Sequence, residues 1–118
     1  MYIKDLILSF RGNDNSSLTS TDELISSSFT LYQNYPNPFN PSTTIKYTLD
    51  DDSYVNVSIY DIKGELVKTL FNGYQNKGNK SVVWNSVNNE NEPMPGGLYV
   101  YSVKTKNSIY SKKMMLLK

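Results

Sequence analysis

The chain has no histidine and no cysteine. Without them a Ser-His-Asp or Cys-His nucleophile, an imidazole general base, the ordinary zinc sites and any disulfide staple are excluded. No apolar run approaches the roughly 20 residues of a membrane helix, since the longest candidates are Leu6–Leu8 and Met114–Leu117; no membrane span is expected. Charge of one sign is also missing. Twelve Lys plus Arg stand against 11 Asp plus Glu, a formal charge of +1, too little to neutralise a run of phosphates, so nucleic acid is not an expected partner. The opening residues Met1–Leu6 carry neither a basic leader nor a sustained apolar region before small residues, so an exported form would take its leader from sequence upstream.

What the chain does have is aromatic residues: ten Tyr and four Phe, with the single Trp84, in 118 residues. These large, amphipathic, strand-favouring side chains offset a mean hydropathy of −0.49 and make a thin β core feasible. The length suits one domain.

Tyr2–Phe10 sets Leu6, Leu8 and Phe10 on one side of an extended segment and reads as a short strand. Arg11–Ser28 is rich in Asn, Asp, Ser and Thr and reads as a linker too polar to fold alone, which places a domain boundary near Ser28. From Phe29 onward, short apolar alternations recur between turn residues. Strands are expected at Phe29–Tyr32, Thr44–Leu49, Val55–Tyr60, Leu66–Leu70, Ser81–Trp84, Leu98–Val103 and Ile109–Leu117. Asp61-Ile62-Lys63-Gly64 should close a hairpin, with Asp61 capping it and Gly64 taking positive φ. Gly73–Asn79 and Asn85–Gly97 read as loops, the latter guarded by Pro93 and Pro95. No window pairs helical spacing with caps. The fold class is all-β, an immunoglobulin-like antiparallel β-sandwich of about seven strands.

Candidate chemistry is sparse. Asp50-Asp51-Asp52 and Asn88–Glu92 could offer oxygen ligands to calcium, but neither has the spacing of an EF-hand loop, and both read as solvated turns. No glycine-rich loop follows a strand and opens a helix, so nucleotide binding is not expected. Trp84 could stack on a sugar ring, but its place beside Val82 and Val83 points to the core. No catalytic, metal or cofactor site is expected.

The most distinctive stretch is Tyr35-Pro36-Asn37-Pro38-Phe39-Asn40-Pro41-Ser42-Thr43-Thr44-Ile45. Each proline restricts its own φ and the residue before it, giving a rigid lead-in to the strands. This stretch resembles the opening motif of the type A C-terminal sorting domains of the type IX (Por) secretion system. The likeness continues in order: Ile59–Val67 resembles the family's hairpin around Gly64, Val83-Trp84-Asn85 its Trp strand, Pro95–Tyr101 its Gly-aromatic strand with Gly97 and Tyr99, and Ser111–Lys118 its basic-then-apolar last strand. It spans about residues 29–118 and departs at Ser86, where the family usually has Gly, and at Gly96, where it often has Ser. Residues 1–28 have no counterpart and look like the tail of a passenger domain plus its linker.

The resemblance implies a non-catalytic export signal. Its partners would be the type IX translocon, a sortase-like protease that removes the domain in many members, and an upstream passenger domain. Its route would run through the periplasm to the cell surface or the medium. Recognition is expected on the last strand, at Lys112, Lys113, Met114, Met115, Leu116, Leu117 and Lys118. Both faces of that strand mix charged and apolar residues, so some of its apolar side chains should face outward or lie under a partner. Two other readings stand beside this one. The fold also resembles the immunoglobulin-like domain of flagellar hook-capping proteins, a structural or adhesive module, although a chain ending at Lys118 favours sorting. The other, a carbohydrate-binding module, would be favoured by exposed coplanar aromatics, and a buried Trp84 would count against it.

Overall fold

The computed structural model describes residues 29–118, so the strand expected at 2–10 and the linker at 11–28 lie outside the described residues. Seven strands follow one another: β1 (Phe29–Leu31), β2 (Thr43–Leu49), β3 (Ser53–Tyr60), β4 (Leu66–Gln75), β5 (Gly78–Trp84), β6 (Gly97–Lys104) and β7 (Ile109–Leu116). They form two antiparallel sheets, one in the order β1-β2-β5 and the other β4-β3-β6-β7. No described residue is helical.

The period-two alternation of the sequence fills the space between the sheets. Phe29, Leu31, Ile45, Tyr47, Leu49 and Trp84 face inward from the first sheet; Val55, Val57, Ile59, Tyr99, Tyr101, Val103, Met114 and Leu116 face inward from the second. Three of these are tyrosines, and each buried phenol finds an acceptor. Tyr47 donates to Gln75 Oε1 at 2.6 Å, Tyr101 to the Tyr32 carbonyl at 2.8 Å, and Tyr99 to the Pro95 carbonyl at 2.6 Å.

The β3–β4 hairpin turns as expected: Asp61 Oδ1 accepts the Lys63 and Glu65 amides at 2.9 Å each, and Gly64 takes φ +86°. Beyond it, the structure corrects one boundary. Gly73–Asn79 is not a loop. β4 runs on to Gln75 and β5 starts at Gly78, because Asn72, Gly73, Tyr74 and Gln75 pair with Asn56, Val55, Tyr54 and Ser53 of β3, while Gly78, Asn79 and Lys80 pair with Leu49, Thr48 and Tyr47 of β2. Backbone ladders on these flanking strands hold polar side chains that leave no apolar signature. Of the expected loop Asn85–Gly97, all but Gly97, which pairs with Leu116 and opens β6, remains outside the regular strands, and Asn88 Oδ1 accepts the Glu90 and Glu92 amides at 2.9 Å each within it.

Candidate functional site: the last strand and its clamp

β7 closes one edge of the four-stranded sheet, paired on one side with β6. Its other side, near its C-terminal end, is taken up by the proline-rich segment. The Phe39 amide donates to the Met115 carbonyl at 3.0 Å and the Leu117 amide donates to the Phe39 carbonyl at 2.9 Å. Asn37 Oδ1 accepts the Met115 amide at 3.0 Å, and Gln33 Nε2 donates to the Lys113 carbonyl at 3.0 Å. The bonds from Phe39 and Asn37 satisfy edge amides and carbonyls that would otherwise face solvent as a template for further pairing.

The segment that makes this clamp is itself held at both ends. The Asn34 side-chain amide, buried, donates to the Pro36 carbonyl at 3.1 Å and to Thr43 Oγ1 at 2.9 Å, while Thr43 donates to the same carbonyl at 2.8 Å. At the far end, Ser86 Oγ donates to the Pro41 carbonyl and Ser42 Oγ to Asn85 Oδ1 at 2.8 Å. The Pro36, Pro38 and Pro41 peptide bonds are cis.

Motif residues far apart in sequence meet here. The Phe39 ring packs 5.8 Å from that of Trp84, and Trp84 packs edge-on to Tyr99 at 5.2 Å. Trp84 is 0% exposed and its indole N–H donates to the Val87 carbonyl at 2.8 Å, so it offers no face to a sugar. Gly97 sits opposite Leu116 in the ladder. The preceding Gly96 has a purely steric role, because a Cβ there would stand 3.1 Å from the Leu116 carbonyl oxygen. Pro36, Asn37, Pro38, Asn40 and Pro41 are exposed on the outside of the clamp, and Gly64 stands in the β3–β4 turn.

The last strand alternates more cleanly than its sequence suggests. Met114 and Leu116 are buried, whereas Met115 is 37% and Leu117 51% exposed. Leu98, the cross-strand partner of Met115, is 38% exposed. Leu98 was not singled out by sequence because Leu98-Tyr99-Val100-Tyr101 is apolar in both phases, and only the burial of Tyr99 and Tyr101 reveals which phase faces out. Lys113 and Lys118 are exposed beside this patch; Lys112 is half-buried on the opposite face, lining a groove with Phe29, Leu31 and Tyr110. The seven residues at 112–118 therefore divide into core (Met114, Leu116), an outward apolar set (Met115, Leu117), outward charges (Lys113, Lys118) and a groove lysine (Lys112).

Two antiparallel sheets of seven strands around a buried tryptophan define an immunoglobulin-like β-sandwich. Residues 40–108 match the FlgD Ig-like domain, more than half of the chain, and the chain belongs to that family. Solved structures share the fold. Dimeric latent PorU from Porphyromonas gingivalis is 22% identical with a TM-score of 0.62, over 77% of this chain and 9% of PorU. FlgD from P. aeruginosa is 23% identical with a TM-score of 0.52, over 77% of this chain and 67% of that one. PorZ, described as an essential bacterial surface component of the type IX secretion system of P. gingivalis, is 20% identical with a TM-score of 0.51, over 84% of this chain and 12% of PorZ. The chain thus spans about a tenth of PorU and PorZ. No curated protein matches it significantly. Among the described residues no helix is long and apolar enough to cross a membrane, and no group of acidic residues is arranged to hold a metal ion.

Proposed function

We propose that this chain is a non-catalytic C-terminal export signal of the type IX secretion system, read as a folded surface, with residues 1–28 as the tail of a passenger and its linker. The translocon and a sortase-like protease would be its partners, no cofactor would be needed, and the route would run from the periplasm to the cell surface or the medium. The observation that carries this reading is the outward patch of Leu98, Met115 and Leu117 flanked by Lys113 and Lys118. Contiguous exposed apolar side chains rimmed by charge are the usual mark of an interaction surface. The fold shared with PorZ lends support.

Fusing the whole chain behind a leader-bearing reporter, in a host with this secretion system, tests the proposal. Export is expected, and Met115→Glu with Leu117→Glu should trap a folded reporter in the periplasm, since neither side chain is in the core. Undiminished export of the double variant would count against a signal on this patch.

The family match equally supports a second reading, a structural module like that of hook-capping proteins. On that reading even the unaltered chain would leave its reporter in the periplasm.

A further inference from the structure

The outer face of the four-stranded sheet holds a second feature, away from the clamp. Strand register sets Thr69, Ser58, Ser102 and Ser111 side by side, one on each of β4, β3, β6 and β7. Four neighbouring strands extend across roughly 14 Å at the usual inter-strand spacing. The row is recessed: Ser58 and Ser102 are each only 2% exposed although they point away from the core. Larger residues stand on either side, Leu66 and Tyr60 along one flank and Asn72, Asn56 and Lys104 along the other. The result is a trough of about 520 Å³ with Tyr54 at its rim.

Its walls are partly apolar, with Leu66, Tyr60 and Tyr54 among them, and its polar groups lie in the floor. Hydroxyls and amides, which both donate and accept, form the floor. Ser58 donates to Asn56 Oδ1 at 2.5 Å, and the Asn56 amide reaches Asn72 Oδ1 at 3.4 Å. Ser111, at the end of the row, lies outside the trough and lines the groove that holds Lys112. Lys104 and Lys106 line the trough and no acidic residue does. The Asp50–Asp52 turn lines an adjoining cavity that shares Tyr54, Thr105 and Lys106 with the trough, which leaves Lys104 as the trough lysine away from those carboxylates.

We infer that this trough binds a short uronate-bearing oligosaccharide. The sugar hydroxyls meet Ser58, Thr69, Ser102 and the Asn groups of the floor, a ring lies against a tyrosine at the side, and a carboxylate is held by Lys104. This site is independent of the export reading and of Trp84.

Titration calorimetry of the whole 118-residue chain with a hexamer of galacturonic acid tests it, using neutral cellohexaose and hexaglutamate for comparison. Saturable binding of the uronate hexamer is expected, stronger than that of either comparison ligand. Ser102→Val in the floor and Lys104→Glu in the wall should each weaken it about tenfold, as for a lost direct hydrogen bond. Lys46→Glu, the same charge change on the other sheet, should leave it unaltered. Thermal melting checks that the variants are folded; if Ser102→Val is not, Thr69→Val on the outer strand replaces it. The inference is overturned if the uronate hexamer does not bind, if cellohexaose or hexaglutamate binds as well, or if Lys46→Glu weakens binding as much as Lys104→Glu.

Discussion

Ser86 holds φ at +66°, a region that costs an L-residue about 1–2 kcal/mol and glycine almost nothing. The sorting domains that the sequence resembles usually have glycine there, the residue this backbone conformation favours. Serine is not a passive substitute, because its buried hydroxyl donates to the Pro41 carbonyl. Ser86→Gly relieves the backbone while losing a bond of about 1 kcal/mol, and should lie within about 1 kcal/mol of the parent in urea unfolding. Ser86→Ala loses the bond and keeps the backbone cost, and should be less stable than Ser86→Gly; the reverse order would contradict this account. Tyr101 illustrates a different residue-scale effect. Burial pushes its phenol up to about 12, against the opposing hydrogen bond donated by the Asn34 amide, and burial also raises Tyr47 and Tyr99. The folded state therefore holds these protons more tightly than the unfolded chain. For Tyr101 the associated stability is fully present below the ordinary value of 10.0 and is lost as pH rises through about 12. Tyr101→Phe should cost about 1–3 kcal/mol at neutral pH, since it strands the Asn34 amide and the Tyr32 carbonyl. It should also flatten the decline of the urea midpoint between pH 10 and 12, and an equally steep decline in the variant would exclude this assignment.

At the scale of the element, β7 separates two roles by a single period of alternation. Met114→Ala and Leu116→Ala each empty a core position and should cost about 2–5 kcal/mol, whereas Met115→Ala and Leu117→Ala should change stability by about 0.5 kcal/mol or less. Chemical denaturation of the four variants measures this split directly, and similar costs at all four would place the whole run in the core. Sequence reasoning found β7 and its surplus of apolar residues, but mixed charges on both sides hid which phase is buried. The expected strands at Thr44–Leu49 and Val55–Tyr60 were legible because their apolar alternation also sets the inward face. The ends of β4 and β5 were not legible. Asn72, Gly73, Gln75, Gly78 and Asn79 are in strands because neighbouring β3 and β2 supply hydrogen-bond partners, and pairing of that kind is a property of two segments together.

In the whole molecule, the two ends of the described chain are joined: the clamp from residues 33–39 meets residues 113–117, and Phe39, Trp84 and Tyr99 pack in series behind it. The sequence showed each of these motifs separately and in order, but their convergence depends on strand order and register, which local pattern does not encode. The hydroxyl row across the outer sheet escaped notice for the same reason, since Ser58, Thr69, Ser102 and Ser111 become neighbours only through pairing. Convergence also changes how a signal on the last strand can be probed. Deleting residues 112–118 would remove Met114 and Leu116 from the core together with the strand that seals the β6 edge, so export would be lost through unfolding whatever the strand's role. Ending the chain at Leu116 removes only the exposed Leu117 and Lys118 and one backbone bond to Phe39, a loss of about 1 kcal/mol. The prediction is that a 111-residue truncation shows no cooperative thermal transition, while a 116-residue truncation melts cooperatively within several degrees of the full chain. Amide exchange at Tyr99, Tyr101 and Val103 provides a second readout, with protection kept in the longer truncation and lost in the shorter one. Persistent protection at these positions after removal of residues 112–118 would show that β7 is not needed to hold the sandwich together.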